Sequence, residues 1–174
     1  MTTGQKVTTG VLVGTGAGLA IWGVNKLFKL KKKSEAAGKL ELELDQVSID
    51  EVLKSGKIFI GLRYKINFSV KNPTDQELGY KNLFVKISLK NKQGEYKKIA
   101  DTVPVSAETK IQPQGTTSAT STTEVRFLNL IGLLDIVPYL IQRAFGAKAT
   151  RDAKIDWSYN SEGLDFENSK IIKL

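Results

Sequence analysis

The sequence predicts a mainly β protein, an antiparallel β-sandwich of roughly seven strands with one helix, preceded by a single transmembrane helix. Three observations support this prediction. Residues 7–25 run without a charge and are followed at once by a cluster of lysines. From residue 40 onwards, apolar and polar residues alternate in segments that turn residues separate. One later segment, 128–145, changes to helical spacing.

The uncharged run predicts a membrane anchor over residues 7–28. A hydrocarbon core about 30 Å thick needs about 20 apolar residues of helix, and the run reaches that length if Lys26 extends its amine to the interface. Trp22 lies near the basic end, where aromatic side chains favour the headgroup level. A cleaved signal peptide and a buried core helix are the alternatives. A signal peptide should carry its basic residues before the apolar run, and a core helix usually keeps a polar face, so a retained anchor is favoured.

Gly10, Gly14 and Gly18 recur at every fourth position inside the run. On a helix this spacing places three bare backbone patches on one face, where another membrane helix can approach closely. The same spacing also arises by composition in glycine-rich segments, so a packing face and mere composition both stay open. The stretch lacks the Lys-Ser/Thr pair and the preceding strand of a phosphate-binding loop.

The lysines predict the orientation of the anchor. Only Lys6 precedes the run, whereas five lysines follow it within eight residues: Lys26, Lys29, Lys31, Lys32 and Lys33. The positive-inside rule then places the C-terminal domain on the cytoplasmic side or, in a virion, on the side of the membrane that faces the capsid. The predicted organisation is an N-terminal tail at 1–6, a transmembrane helix at 7–28, a basic juxtamembrane linker at 29–39 and a β-sandwich domain at 40–174.

The net charge does not indicate a nucleic-acid partner once it is divided along the chain. The whole chain carries +8, but residues 1–39 hold seven lysines and one glutamate, so the remaining 19 basic and 17 acidic residues give the domain only +2. Anionic headgroups account for lysines at a membrane border, at about 1 kcal/mol for each basic residue near the surface. We therefore expect a lipid bilayer as a partner and no nucleic acid.

The composition also argues against catalysis. The chain has no His, the commonest general base and metal ligand, and no Cys, which removes thiol nucleophiles and thiolate metal sites. Glu41, Glu43 and Asp45 alternate with leucines, so they predict the solvated face of a strand rather than a metal site. We expect no enzymatic activity, no metal and no cofactor.

Sequence patterns that predict β-strands occur throughout the domain. The Thr/Ser-rich run 116–123 could be a linker, but its β-propensity favours an edge or half-exposed strand. Asn72-Pro73 should end a strand, because a residue before proline is pushed towards extended backbone and an Asn side chain can bond the turn. Alternation predicts strands at 39–45, 58–70, 83–89, 96–100, 109–111, 120–127 and 153–159, with a final extended segment to residue 174.

Segment 128–145 predicts the helix of the domain, with Pro138 as a kink or break. The helix could cap the core, or part of its surface could dock on a partner or dip into the membrane interface. Six apolar residues at helical spacing are the candidates for partner docking: Leu130, Leu133, Leu134, Val137, Leu140 and Ile141.

Residues 64–73, with the sequence YKINFSVKNP, resemble the strand ending in Asn-Pro-Asn of the LEA-2 family, also called the water-stress and hypersensitive-response domain. A return strand, the segment 102–105, a late helix and a strand at 153–159 follow in the same order as in that family. Thr74 stands where the family has its second Asn. The resemblance covers roughly residues 40–174 and implies an immunoglobulin-like or fibronectin-III-like sandwich. It implies no active-site residues, because the family has no agreed catalytic chemistry.

These features predict a non-enzymatic, membrane-anchored structural tether. The favoured form is a minor virion protein that links a phage membrane to its capsid, because a viral membrane derived from the host inner membrane turns its cytoplasmic leaflet towards the shell. The alternatives are a cellular LEA-2-type protein for stress protection or for binding lipids or client proteins, and a subunit of a transport or secretion assembly. The predicted protein partners are the capsid or a second copy bound through the transmembrane helix.

Overall fold

The computed structural model describes residues 31–104, 107–130 and 132–174. The predicted transmembrane helix lies outside the described residues, so the anchor stays a prediction, as do the roles of Gly10, Gly14, Gly18, Trp22, Lys26 and Lys29. Within the described ranges, no helix combines the length and the apolar character needed to cross a bilayer.

The described residues form eight strands and three short helical segments. Residues 31–37 form helix α1, a 3₁₀ helix spans Phe127–Leu130, and helix α2 spans Val137–Ala144. The strands are β1 (Glu41–Ser55), β2 (Ile58–Lys71), β3 (Leu78–Lys90), β4 (Tyr96–Asp101), β5 (Thr109–Ile111), β6 (Thr116–Arg126), β7 (Asp152–Ser161) and β8 (Leu164–Lys173).

The strands form two antiparallel sheets that pack face to face. One sheet has the order β1-β2-β6, and the other has the order β4-β3-β7-β8 with β5 added beside β3. The rings of Phe68 and Trp157 meet between the sheets at a centroid distance of 5.6 Å. At one edge the Thr123 hydroxyl donates a hydrogen bond to the Asp101 carbonyl at 2.6 Å. The predicted mainly β, antiparallel sandwich is therefore confirmed.

Strict alternation predicts the core where the strands are regular. Along β2, every second side chain from Leu62 to Val70 is at most 2% exposed. Strand β1 is longer than predicted: it continues past Asp45 to Ser55 with breaks of register after Leu44, Ile49 and Leu53. Such bulges shift which side chains face inward, so the second half of β1 loses the alternation on which the prediction depends.

The predicted helix over 128–145 is wrong in its bounds. A 3₁₀ helix ends at Leu130, a turn follows, and α2 occupies only Val137–Ala144. Pro138 lies in the first turn of α2, where its missing N–H leaves no hydrogen bond unmade, so this proline starts the helix instead of kinking it. Gly146 follows the helix with φ of +81°, a conformation that suits glycine at a helix end.

The sandwich has two ends, which we name by the path of the chain. At the entry end, α1 leads into β1 beside the loop 72–77 and the β7–β8 turn. At the far end lie the β1–β2 turn, the 3₁₀ helix and α2. Most of the features that bear on function lie at these two ends.

Candidate functional site

Helix α1 is fixed to the entry end. Ala36 and Ala37 are 7% and 0% exposed. The Lys33 amine lies 3.3 Å from one carboxylate oxygen of Glu162, and the other oxygen accepts a hydrogen bond from the Gly79 N–H at 3.3 Å. The segment 31–37 is therefore a helix that packs on the domain, whereas the sequence predicted a linker there. Alanine, lysine and glutamate favour helix, and the two alanines give α1 a face small enough to pack closely.

The lysines of α1 remain on the surface. Lys31, Lys32 and Lys33 are all exposed. The Lys31 amine is 3.9 Å from the Glu35 carboxylate, one helical turn away. These three residues could face a membrane, but their contribution there stays a prediction.

A buried asparagine organises the entry end. Asn72 is 0% exposed, and its side-chain N–H groups lie 2.7 Å from the Gln76 carbonyl and 3.2 Å from the Ile111 carbonyl. Its side-chain oxygen accepts hydrogen bonds from the Thr74 hydroxyl at 2.7 Å and from the Thr74 N–H at 3.1 Å. Asn72 thus ties the end of β2 to β5 and to the loop before β3. Thr74 completes this turn with its hydroxyl, so the departure from Asn-Pro-Asn keeps the turn satisfied.

A tyrosine joins the same end to the second sheet. The Tyr159 hydroxyl donates a hydrogen bond to the Leu40 carbonyl at 3.1 Å. Burial raises the pKa of Tyr159 above its ordinary value, because the phenolate would lose its hydration. The start of β1 therefore contacts both sheets, since it pairs with β2 in its own sheet and the residue before it accepts a hydrogen bond from β7 of the other.

The six candidates for partner docking do not share one environment. Leu130 and Leu140 are 2% and 0% exposed, and Leu133 and Val137 are half-buried against the core. Only Leu134, at 77%, and Ile141, at 36%, are exposed. Most of the six therefore build the core, and partner docking stays a prediction for the two that reach the surface.

Three further exposed apolar residues at the far end were not among the predicted site residues. Ile58, Leu128 and Phe145 are 70%, 79% and 76% exposed. Phe59 joins their elements, since its ring lies 4.8 Å from Phe127 and 5.8 Å from Phe145, centroid to centroid. We define the far-end apolar surface as Ile58, Leu128, Leu134, Ile141 and Phe145.

The helix predicted over 128–145 contained Leu128 and Phe145, but the prediction placed them at the two ends of one long helix. In the structure they belong to separate elements, since Leu128 lies on the 3₁₀ helix and Phe145 directly follows α2. Ile58 follows directly after Gly56-Lys57, and its place beside this turn was the one sequence signal for exposure.

Three lysines of the far end lack acidic partners. Lys54, Lys57 and Lys148 are exposed, and within the described residues none of them has a carboxylate at ion-pair distance. The carboxylates of this end are instead engaged: Asp135 lies 3.3 Å from Arg151, and Asp152 pairs with Lys173. The Lys173 amine holds the pKa of Asp152 below its ordinary value.

A second charged group lies on the outer face of the β1-β2-β6 sheet. Arg63 pairs with Glu51 and, at 2.8 Å, with Glu124, whose other oxygen is 2.9 Å from Arg126. Hydrogen bonds from the two guanidinium groups hold the pKa of Glu124 below its ordinary value. The group is a cross-strand ion-pair network with its charges balanced.

The other sheet carries an open concavity of about 580 Å³ on its outer face. Its Asp156 carboxylate is bracketed by the amines of Lys86 and Lys154, each at 3.0 Å. No trio of metal-ligating side chains is gathered in the part of the chain that the structure describes.

Comparison with known proteins leaves the chain without an assigned family. No family model matches it, and no curated protein matches it. Among solved structures it is similar to an Arabidopsis thaliana protein, at 15% identity and a TM-score of 0.45, over 77% of this chain and 81% of that one. It is also similar to a protein from Archaeoglobus fulgidus, at 14% identity and a TM-score of 0.43, over 76% of this chain and 98% of that one.

A putative late embryogenesis abundant protein is a further structural neighbour, at 15% identity and a TM-score of 0.39, over 90% of this chain and 88% of that one. Similarities at this level do not assign a family or a function.

Proposed function

We propose that this protein is a non-enzymatic tether, anchored in a bilayer by its N-terminal segment and holding a rigid β-sandwich on the cytoplasmic side. The observation that carries the proposal is the docking of α1. The residues that follow the predicted anchor pack on the domain through Ala36 and Ala37 and through the pair of Lys33 with Glu162. An anchor followed by a packed helix would hold the domain in one orientation, whereas a flexible linker would let it turn freely.

The shape of the domain suits a tether. Strand β2 has 14 residues and runs from the far end to the entry end, a length of about 45 Å at the usual rise per residue. The far end would therefore stand away from the bilayer that holds the anchor. Its exposed apolar side chains favour contact with a second surface.

A non-enzymatic role is favoured by the composition. A chain without His and Cys lacks the residues that most often serve as general base, nucleophile and metal ligand. We propose that binding and rigid spacing are what the domain provides.

Two forms of the tether differ in the second surface. In the virion form, the protein links a phage membrane to its capsid, and the predicted orientation places the domain beneath the shell. In the cellular form, it is a LEA-2-type protein that binds lipids or client proteins. Fractionation separates the two: the virion form requires the full-length chain in purified particles, and its presence in host membranes alone would exclude that form.

We further propose that the sandwich is a LEA-2 domain of the immunoglobulin or fibronectin-III type. The support is the stretch Tyr64–Pro73 and the turn that Asn72 organises after it. An experimental structure with the strand order of LEA-2 domains in both sheets is the expected result, and a different strand order would refute this assignment.

The absence of Cys allows a direct test of the anchor and its orientation. Single variants Thr3→Cys and Lys92→Cys would be made in the full chain and expressed in bacteria. We expect the chain to resist extraction from membranes by alkaline carbonate. In intact spheroplasts, a membrane-impermeant maleimide should label Thr3→Cys, whereas Lys92→Cys should react only after the membrane is opened. Release by carbonate would overturn the anchor, and the reverse labelling pattern would overturn the orientation.

A further inference from the structure

We infer that the far end docks on the surface of an anionic lipid bilayer. The inference rests on the proposed tether in one respect: because the anchor would hold the entry end, the bilayer at the far end would be a second one. It specifies the surface that the tether reaches, and a bilayer there fits the cellular form rather than the link to a capsid.

The first observation is the way in which the apolar side chains are presented. Ile58 lies beside a β-turn, Leu128 on a 3₁₀ helix and Phe145 at the end of α2, and each is at least 70% exposed. Side chains at the tips of turns and short helices project outward from the fold. Projecting apolar and aromatic groups can enter the boundary between headgroups and acyl chains without a matching pocket.

The second observation is the charge around these side chains. Lys57 is the sequence neighbour of Ile58, Lys54 lies just across the same turn, and Lys148 follows α2. Their charges have no acidic partner among the described residues, whereas Asp135 and Asp152 of this end are paired with Arg151 and Lys173. An uncompensated positive charge beside projecting apolar groups is complementary to anionic headgroups.

The entry end shows that this pattern does not extend over the whole surface. There Lys33 pairs with Glu162, and Lys110 pairs with Glu77 at 3.1 Å. Lys32 and Lys39 are also exposed at the entry end without an acidic partner among the described residues, but Leu164, beside the β7–β8 turn, is only 40% exposed. The far end therefore differs in combining such lysines with several apolar side chains that are at least 70% exposed. A second copy of the chain fits this surface poorly, because two far ends would bring like charges together.

The test uses the full chain reconstituted in phosphatidylcholine proteoliposomes, with separate fluorescent vesicles added afterwards. We expect the proteoliposomes to cluster vesicles that contain phosphatidylglycerol and not vesicles of phosphatidylcholine alone. The double variant Lys54→Gln/Lys57→Gln should weaken clustering about 25-fold at low salt, since each basic residue near an anionic surface contributes about fivefold. The matched control Lys65→Gln/Lys81→Gln removes two exposed lysines elsewhere and should leave clustering unchanged.

A second pair of variants tests the apolar contribution. Leu128→Ser/Leu134→Ser should abolish clustering, whereas Val103→Ser/Leu164→Ser, which changes two exposed apolar residues away from the far end, should not. Absence of clustering with phosphatidylglycerol vesicles, or equal clustering by all variants, would overturn the inference. Clustering of the proteoliposomes with one another, lost in the far-end variants, would assign the surface to a second copy and overturn it as well. So would binding of the same residues to a capsid protein instead of the vesicles.

Carbonate extraction and vesicle clustering together distinguish failure of the tether from failure of the far-end inference. If the chain resists carbonate extraction but clusters no vesicles, the anchor stands and the far-end inference is wrong. If carbonate releases the chain, and the released chain floats with phosphatidylglycerol vesicles but the Lys54→Gln/Lys57→Gln variant does not, the far-end inference stands and the tether is wrong.

Discussion

The two ends of the sandwich are built in opposite ways. At the entry end a buried asparagine, a buried tyrosine and a packed helix use hydrogen bonds to join the strands, and Lys33 and Lys110 form ion pairs there. At the far end several apolar side chains are exposed, and Lys54, Lys57 and Lys148 have no acidic partner among the described residues. The difference shows that one end is stabilised by its own contacts, whereas the other leaves apolar side chains exposed, which the proposed docking would cover.

The largest change in the free energy of unfolding should come from a buried leucine of α2, compared with an exposed leucine in the turn before it. Leu140→Ala should lower the free energy of unfolding by about 3–4 kcal/mol, because it leaves a cavity at a fully buried position. Leu134→Ala, at a position that is 77% exposed, should change it by less than about 0.5 kcal/mol. Urea unfolding of the full chain in detergent, followed by tryptophan fluorescence, measures both. Equal losses would show that the far-end apolar surface is part of the core.

The second prediction compares the loss of unfolding free energy when one asparagine is replaced at each end. Asn72→Ala should cost about 3 kcal/mol, because it removes several buried hydrogen bonds and leaves carbonyl groups of the entry end without donors. Asn91→Ala, in the β3–β4 turn of the far end, should cost about 1 kcal/mol, because its partner Glu95 is exposed to water. The same unfolding assay applies. A cost for Asn72→Ala no greater than that for Asn91→Ala would contradict a special role of the entry end.

The third effect tests the docking of α1. Ala37→Leu should cost about 2 kcal/mol, because a larger side chain does not fit a site that is 0% exposed. Lys32→Leu, on the exposed face of the same helix, should be nearly neutral. Hydrogen exchange of the amides in α1 provides a direct measurement, and we expect faster exchange only in Ala37→Leu. Unchanged exchange in both variants would show that α1 does not depend on the packing of Ala37.

The smallest effect is a pH dependence shared by the two ends. Burial raises the pKa of Tyr159, at the entry end, and of Tyr139, which donates to the Leu174 carbonyl at the far end. A raised pKa in the folded state means that stability is fully present below the unfolded value of about 10 and is lost as the pH rises above it. Tyr159→Phe and Tyr139→Phe should each cost about 1 kcal/mol at pH 7 and each reduce the loss of stability at alkaline pH.

Melting temperatures measured across alkaline pH would test this prediction. An unchanged alkaline slope in both variants would show that neither tyrosine contributes to the pH dependence. A change in Tyr159→Phe alone would place the alkaline sensitivity at the entry end.

Most strands could be predicted because the burial of one face of a sheet imposes alternation on the sequence. Strand β2 follows this rule over its whole buried length, and its core residues were evident from the sequence. The later half of β1 was missed because three breaks of register interrupt the regular pairing with β2. The helix over 128–145 was drawn too long because helical spacing also describes a 3₁₀ helix, a turn and a short helix that each turn an apolar face to one core.

The sequence was sufficient to predict the antiparallel sandwich, the turn at Asn72-Pro73 and the division of charge between residues 1–39 and the domain. These depend on local periodicity and composition, which can be read without knowing what packs against what. The tertiary structure alone decided that residues 31–37 pack on the domain, and which apolar residues near 128–145 are buried. Exposure at those positions depends on neighbours distant in sequence, such as Phe59 beside Phe145, and local spacing carries no information about them.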